Sequence, residues 1–245
     1  MLRRAAAVLG LALMVALPQL AQAEAAGGPR LTIYAASSLT EVFPRIDRRP
    51  AFNFAGSNQL ALQIRQGAPA DIFASAAPNF TQDLYRERRV ESPRTFVSNR
   101  LVLAIPRSNP AGLSTVFDLR RKRVKLVIGT ARVPIGAYTR KVLHNLGMTS
   151  VLSKVVSEEP DAKSIVGKIA LGEADAGFVY RTDVQPARRR VRAIEIPARA
   201  QPKVRYEIAV LSSSRNTAAA RAWVRMTLTN ARARRLLEQA GFSLP

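Results

Sequence analysis

The sequence of 245 residues contains no cysteine. That absence excludes disulfides and excludes a lipid anchor on an N-terminal cysteine. Only one histidine is present, His144. Without thiols and with a single imidazole there is no zinc-type constellation. His144 falls in the final turn of a predicted helix, where it complements the helix dipole rather than acting as a base. Carboxylates are also scarce, 17 Asp and Glu against 38 Lys and Arg, for a formal net charge of +21. There is no Gly-x-Ser-x-Gly elbow, no phosphate-loop signature and no Gly-x-Gly-x-x-Gly, which disfavours nucleotide enzymes and the common hydrolase architecture. The positive balance permits contact with nucleic acid or acidic membrane. No mixed aromatic and basic recognition pattern accompanies it, so the charge reads as a solvated surface and nucleic acid is not expected as a partner.

Long apolar runs are lacking beyond one. Ala5 to Leu17 follows Arg3 and Arg4 and precedes Ala21-Gln22-Ala23. A charged start, a short apolar stretch and a small-x-small site read as a secretory signal over residues 1–23, with the mature chain starting at Glu24. The run is too short to span a bilayer. An exported chain with neither disulfide nor lipid anchor is expected to be soluble in a bacterial periplasm. Its stability then comes from its core, which a 47% hydrophobic composition allows.

What is present is a repeated strand-to-helix junction. Leu31 to Ala35 has strand character, and helical spacing resumes at Leu39, Val42 and Phe43 after Ser37 and Ser38. A serine there is a natural N-cap, and a strand leading into a helix N-terminus offers unpaired N–H groups to an anion. Ala51 to Phe54 repeats the pattern, with Ser57 as the expected cap. Lys125 to Ile128 leads through Gly129 and Pro134 into a helix carrying Tyr138, Val142 and Leu146. A strand-like run from Val151 to Val156 leads to Asp161, which can cap a helix bearing Ile165, Val166 and Ile169.

Further strands are expected at 70–74, 100–105, 176–180, 191–196 and 204–211, with helices at 80–88, 217–230 and 231–240. The helix after Ser38 is expected to be cut short by Pro44 and Pro50. Alternating elements of this kind imply an α/β class with mainly parallel sheets. About ten strands exceed one small sheet, so two α/β lobes fit better, with ligand outside the C-terminal ends of the strands. Glu158, Glu159 and Asp161 can either hold a hard cation or complement a helix dipole, and the latter is the simpler reading. If the lobes face each other, the junctions converge, and hydroxyls and backbone N–H groups would hold an anion without a buried counter-charge.

Five segments together resemble a known family. These are Ala35-Ala-Ser-Ser-Leu-Thr40, Phe54-Ala-Gly-Ser-Asn-Gln-Leu60, Gly67-Ala-Pro-Ala-Asp71, Val133-Pro-Ile-Gly136 and Gly177-Phe-Val-Tyr180. In order and spacing they are similar to the periplasmic molybdate-binding proteins, the substrate-binding subunits of ABC importers. The resemblance implies a type II periplasmic-binding-protein fold with a ligand cleft between two lobes. Residues 29–104 and 208–245 would form lobe I and residues 105–207 lobe II. It implies an oxyanion site made of the Ser38 and Ser57 hydroxyls, the Ile135 and Ala162 amides and the Tyr180 hydroxyl. It implies molybdate or tungstate as ligand, no cofactor, no protein-ligated metal and no catalysis. Partners would be the oxyanion and a membrane permease, the protein itself being a monomer. Another tetrahedral oxyanion such as sulfate or phosphate is the alternative ligand, and a secreted serine-dependent hydrolase the more distant reading. The chain departs from the family pattern in a shorter Ser38–Ser57 segment and in Ile135, where a smaller residue is common.

Overall fold

The computed structural model describes residues 30–121 and 123–245. The signal reading at residues 1–23 lies outside the described residues. Among the described residues no helix is long and apolar enough to cross a membrane.

The first run of elements is β1 (Thr32–Ala36), α1 (Phe43–Ile46), β2 (Ala51–Ala55), α2 (Ser57–Arg65), β3 (Ile72–Ser75), α3 (Pro78–Arg86) and β4 (Arg94–Asn99). A single residue, Arg100, separates β4 from β5 (Leu101–Pro106). Then come β6 (Leu126–Gly129), α4 (Pro134–Asn145), β7 (Val155–Glu159), α5 (Ala162–Ala170), β8 (Ala176–Tyr180), α6 (Arg181–Val184) and β9 (Val191–Glu195). The chain closes with β10 (Val204–Val210), α7 (Thr217–Thr229) and α8 (Ala231–Gln239).

Among the described residues the strands form two sheets of five, in the orders β2-β1-β3-β10-β4 and β7-β6-β8-β5-β9. Each sheet carries flanking helices, so the molecule has two α/β lobes. The expectation of mainly parallel sheets needs correction. β1 is parallel to β2 and β3, and β6 to β7 and β8, but β10 is antiparallel to β3 and β4. In the second sheet β5 is likewise antiparallel to β8 and β9. The antiparallel strands are those that carry the chain between sheets, which a pattern of apolar runs does not distinguish from parallel ones.

Central strands are buried along their length, as in β3, β5, β6 and β8. The main core runs through both lobes, and a smaller cluster around Leu60, Phe73 and Leu84 seats α2 and α3. Burying each such large side chain contributes roughly 1.5–3 kcal/mol. β4 is absent from the sequence expectation because it is a polar edge strand, with only Phe96 and Val97 buried. The run from Val151 is not strand throughout. Thr149–Lys154 is a 3-10 turn and the strand starts at Val155.

Two crossovers join the lobes, at Arg100 and between β9 and β10. The Gln201 side chain ties them, accepting Leu101 N–H at 3.0 Å and donating to Leu101 C=O at 2.8 Å. That bidentate pairing replaces ladder bonds where the chain leaves its sheet.

Candidate functional site

The parallel strands β1, β2, β3, β6, β7 and β8 all lead to one cavity between the lobes. It is lined by Ala36, Ser37, Ser38, Ala55, Gly56, Ser57 and Ala76 from the first lobe. The second lobe contributes Val133, Pro134, Ile135, Asp161, Ala162 and Tyr180. All five residues singled out from the sequence therefore stand in one wall set. Ser38 is 7% exposed, Ser57 1%, and Ile135, Ala162 and Tyr180 2% each. The volume open to the centre of a water-sized sphere is about 20 Å³. That is little more than the ~10–15 Å³ one water requires, so in this closed form the hollow suits a compact solute and not a sugar or nucleotide.

The two serines are not helix caps, which corrects the sequence expectation. Ser38 sits inside a 3-10 turn, Ser37–Leu39, whose N-cap is Ala36. Its hydroxyl lies 2.8 Å from the Tyr206 hydroxyl. Ser57 is the first residue of α2, with Gly56 at the cap. Its Oγ accepts the Ala76 N–H at 3.1 Å. Both hydroxyls are drawn to tertiary partners, and Gly56 caps α2 by backbone geometry alone. α1 is four residues long, as the short segment required, but Pro44 lies in its first turn and starts it rather than breaking it.

The second lobe offers helix N-termini. Pro134 opens α4, so Ile135 supplies an early amide that has no partner within the helix. Gly136 lets that turn approach the preceding loop, since a Cβ there would stand 1.9 Å from Thr130 O. The bulk of Ile135 is absorbed at Gly129, where an added Cβ would meet Ile135 Cγ2 at 2.8 Å. Asp161 caps α5, accepting Ser164 N–H at 2.9 Å, which leaves the Ala162 amide at the mouth of that helix.

Tyr180 ends β8. Its hydroxyl is buried with no hydrogen-bond partner among the described residues. Burial pushes its pKa well above the ordinary value, and Tyr206, Tyr138 and Asp183 add to the rise. It therefore keeps its proton and, from the cavity wall, can donate it to an occupant. An orphan buried hydroxyl of this kind costs about 1–3 kcal/mol.

Among the described residues no Lys, Arg or His lines the cavity, and the one charged residue in its wall is Asp161. The donors are uncharged hydroxyls and amides, backed by two helix dipoles. Glu158 and Glu159 stand apart from the cavity. Glu158 pairs with Arg140, and Glu159 accepts the Ser157 hydroxyl. Among the described residues no group of three or more His, Asp or Glu could hold a metal ion. Sequence reasoning missed Ser37, Gly56, Tyr206 and Asn99. The first two lie inside the segments that carry the family resemblance, whereas Tyr206 lies 168 residues from Ser38 and carries no local signal.

Two α/β lobes, joined by crossover strands and closed over a small hollow that hydroxyls and helix N-termini face, define a solute-binding protein. The family model for "Bacterial extracellular solute-binding protein" matches residues 31–243, and the chain belongs to that family. It is 33% identical over 229 residues, 89% of its length and 86% of the relative's, to "Molybdate-binding protein ModA" of Mycobacterium bovis. Among solved structures it is similar to the substrate-binding domain of a putative molybdenum ABC transporter from Clostridium difficile. That match has 28% identity and a TM-score of 0.67, over 88% of this chain and 99% of the other. The periplasmic molybdate-binding protein of Azotobacter vinelandii shares the fold, with a TM-score of 0.75 and 20% identity over 88% and 100% of the two chains.

Proposed function

We propose that the protein captures molybdate in the periplasm and delivers it to the permease of an ABC importer. The observation that carries this reading is the Tyr180 hydroxyl, buried and unpartnered in a cavity whose other donors are serine hydroxyls and helix N-termini. The ligand would be held by Ser38, Ser57, Tyr180 and the amides of Ile135 and Ala162. Tungstate has nearly the same tetrahedral size and would bind as well. Supporting the choice of oxyanion are the likeness to molybdate-binding relatives and the small cavity.

Binding makes and breaks no covalent bond. Hydrogen bonds to a charged acceptor contribute about 1.5–3 kcal/mol each, and several together reach the roughly −12 kcal/mol of nanomolar affinity after desolvation and closure are subtracted. The lobes are assigned at the crossovers rather than at residues 104/105 and 207/208. Lobe I is then residues 30–99 and 204–245, because β5 and β10 each belong wholly to one sheet. A signal over residues 1–23 fits the export this role requires.

Titration calorimetry with molybdate, tungstate, sulfate and phosphate tests the reading. Tight one-to-one binding of the first two is expected. Saturable binding of sulfate or phosphate alone would reassign the ligand.

A further inference from the structure

Behind Ser38 runs a chain of polar groups whose donor and acceptor roles are fixed by elimination. It starts at Asn99, the last residue of β4, beside the first crossover. The Arg100 N–H donates to Asn99 Oδ1 at 2.9 Å. That contact settles the amide orientation, so Asn99 presents its NH2 on the other side. There it donates to Thr182 Oγ1 at 3.0 Å and to the Tyr206 hydroxyl oxygen at 3.3 Å. Tyr206 is completely buried, and burial holds its pKa well above the ordinary value. Its proton is therefore always present and needs an acceptor. Asn99 offers it only N–H, which leaves Ser38 Oγ at 2.8 Å. Were Ser38 to donate instead, the Tyr206 proton would face the Asn99 NH2 with nothing to accept it.

We propose that Asn99 and Tyr206 form a relay that fixes the Ser38 hydroxyl as a donor into the cavity. They are positioning residues, acting on the ligand through Ser38. Ser57 is set the same way by a shorter device, since its oxygen accepts Ala76 N–H and its own proton is left for the cavity. An occupant of the Ser38 side must then present a bare oxygen. A fully deprotonated oxyanion does so in any orientation, whereas hydrogen phosphate does so only with its hydroxyl turned away from Ser38, whose own proton points into the cavity. The relay also touches the other lobe through Thr182, so it is complete when the lobes meet. This inference rests on the oxyanion reading above.

The test is a double-mutant cycle read by calorimetry at neutral pH with molybdate as probe. Tyr206→Phe keeps the ring, which packs edge-on against Phe96, Tyr180 and Phe242. It is expected to weaken molybdate binding by roughly tenfold, the size of one hydrogen bond. In a Ser38→Ala background the same change is expected to alter affinity by less than about twofold, because the relay has lost its terminus. Asn99→Ala supplies a second entry to the cycle, with a loss that shrinks in Ser38→Ala but does not vanish, because Asn99 also donates to Thr182 of the other lobe. Tyr206→Phe should in addition narrow the preference for molybdate over hydrogen phosphate, since a released Ser38 can turn and accept. Equal losses in both backgrounds, with an unchanged preference, would overturn the relay while leaving the oxyanion reading standing. A wild-type protein that binds none of these oxyanions would overturn both.

Discussion

The Ser57 hydroxyl accepts the Ala76 N–H at 3.1 Å and is almost wholly enclosed, so its removal acts on stability and on binding together. Ser57→Ala leaves a buried N–H without its acceptor, a loss of about 1–3 kcal/mol, and takes one donor from the proposed anion. The melting temperature of the unliganded variant should fall and its molybdate Kd rise by at least roughly tenfold; an unchanged Kd would remove Ser57 from the site. Asp183 makes a prediction of a different kind. Burial pushes its carboxyl up to about 7, the Tyr180 N–H and Lys163 oppose the rise, and Asp161 adds to it. Its Oδ2 accepts Tyr180 N–H at 3.0 Å, and its Oδ1 is buried without a partner. The folded protein therefore keeps a proton that the unfolded chain has released between about pH 4 and 7. Its stability falls as pH rises through that window and is level above it. Asp183→Asn keeps the acceptor and removes the titration. The variant should gain on the wild type in melting temperature from pH 4.5 to pH 8, and a gap that stays constant across that range would contradict the assignment.

At the level of elements, the parts of the fold legible in the sequence are those whose signals are local. β8 and the starts of α4 and α5 follow from an unbroken apolar run, from Pro134 and from Asp161. Convergence of the four strand-to-helix junctions on one cavity follows from two facing lobes, whereas the place of Tyr180 in it comes from the resemblance alone. β4 was not legible because an edge strand with two buried residues has no apolar period. Ser38 and Ser57 are not the caps their positions suggest, because a hydroxyl at a helix start can serve a distant residue as readily as its own helix. Asp161 does cap its helix, yet it also stands in the wall of a cavity proposed to take a dianion. Asn caps a helix about as well as Asp. Asp161→Asn should thus hold the melting temperature within about 2 °C and tighten molybdate binding by severalfold at low salt as like-charge repulsion is removed. Weaker binding in that variant would mean the carboxylate helps the site.

Across the whole molecule, the two lobes meet at close range beside the cavity. The Glu41 carboxylate pairs with Lys163 across the rim, but both side chains are well exposed, and such pairs are worth about 0–1 kcal/mol. The tighter constraint is steric. Gly56 belongs to the first lobe and Pro160 to the second, and a Cβ on Gly56 would stand 2.6 Å from Pro160 O. The same Cβ would meet Asn58 Oδ1 at 2.8 Å, a flexible tip on its own lobe that can turn away. Backbone carbonyl cannot. Gly56 has φ −61° and ψ 136°, a conformation any residue adopts, so its lack of a side chain serves the approach of the lobes and not its own backbone. Gly56→Ala is therefore expected to fold normally when open and to resist closure. Every proposed ligand contact remains in place, yet the affinity depends on the population of closed molecules. Molybdate binding should weaken by roughly tenfold or more, the unliganded melting temperature should hold, and small-angle scattering should show less compaction on adding ligand than in the wild type. Full compaction with wild-type affinity would show that the contact between Gly56 and Pro160 yields without consequence.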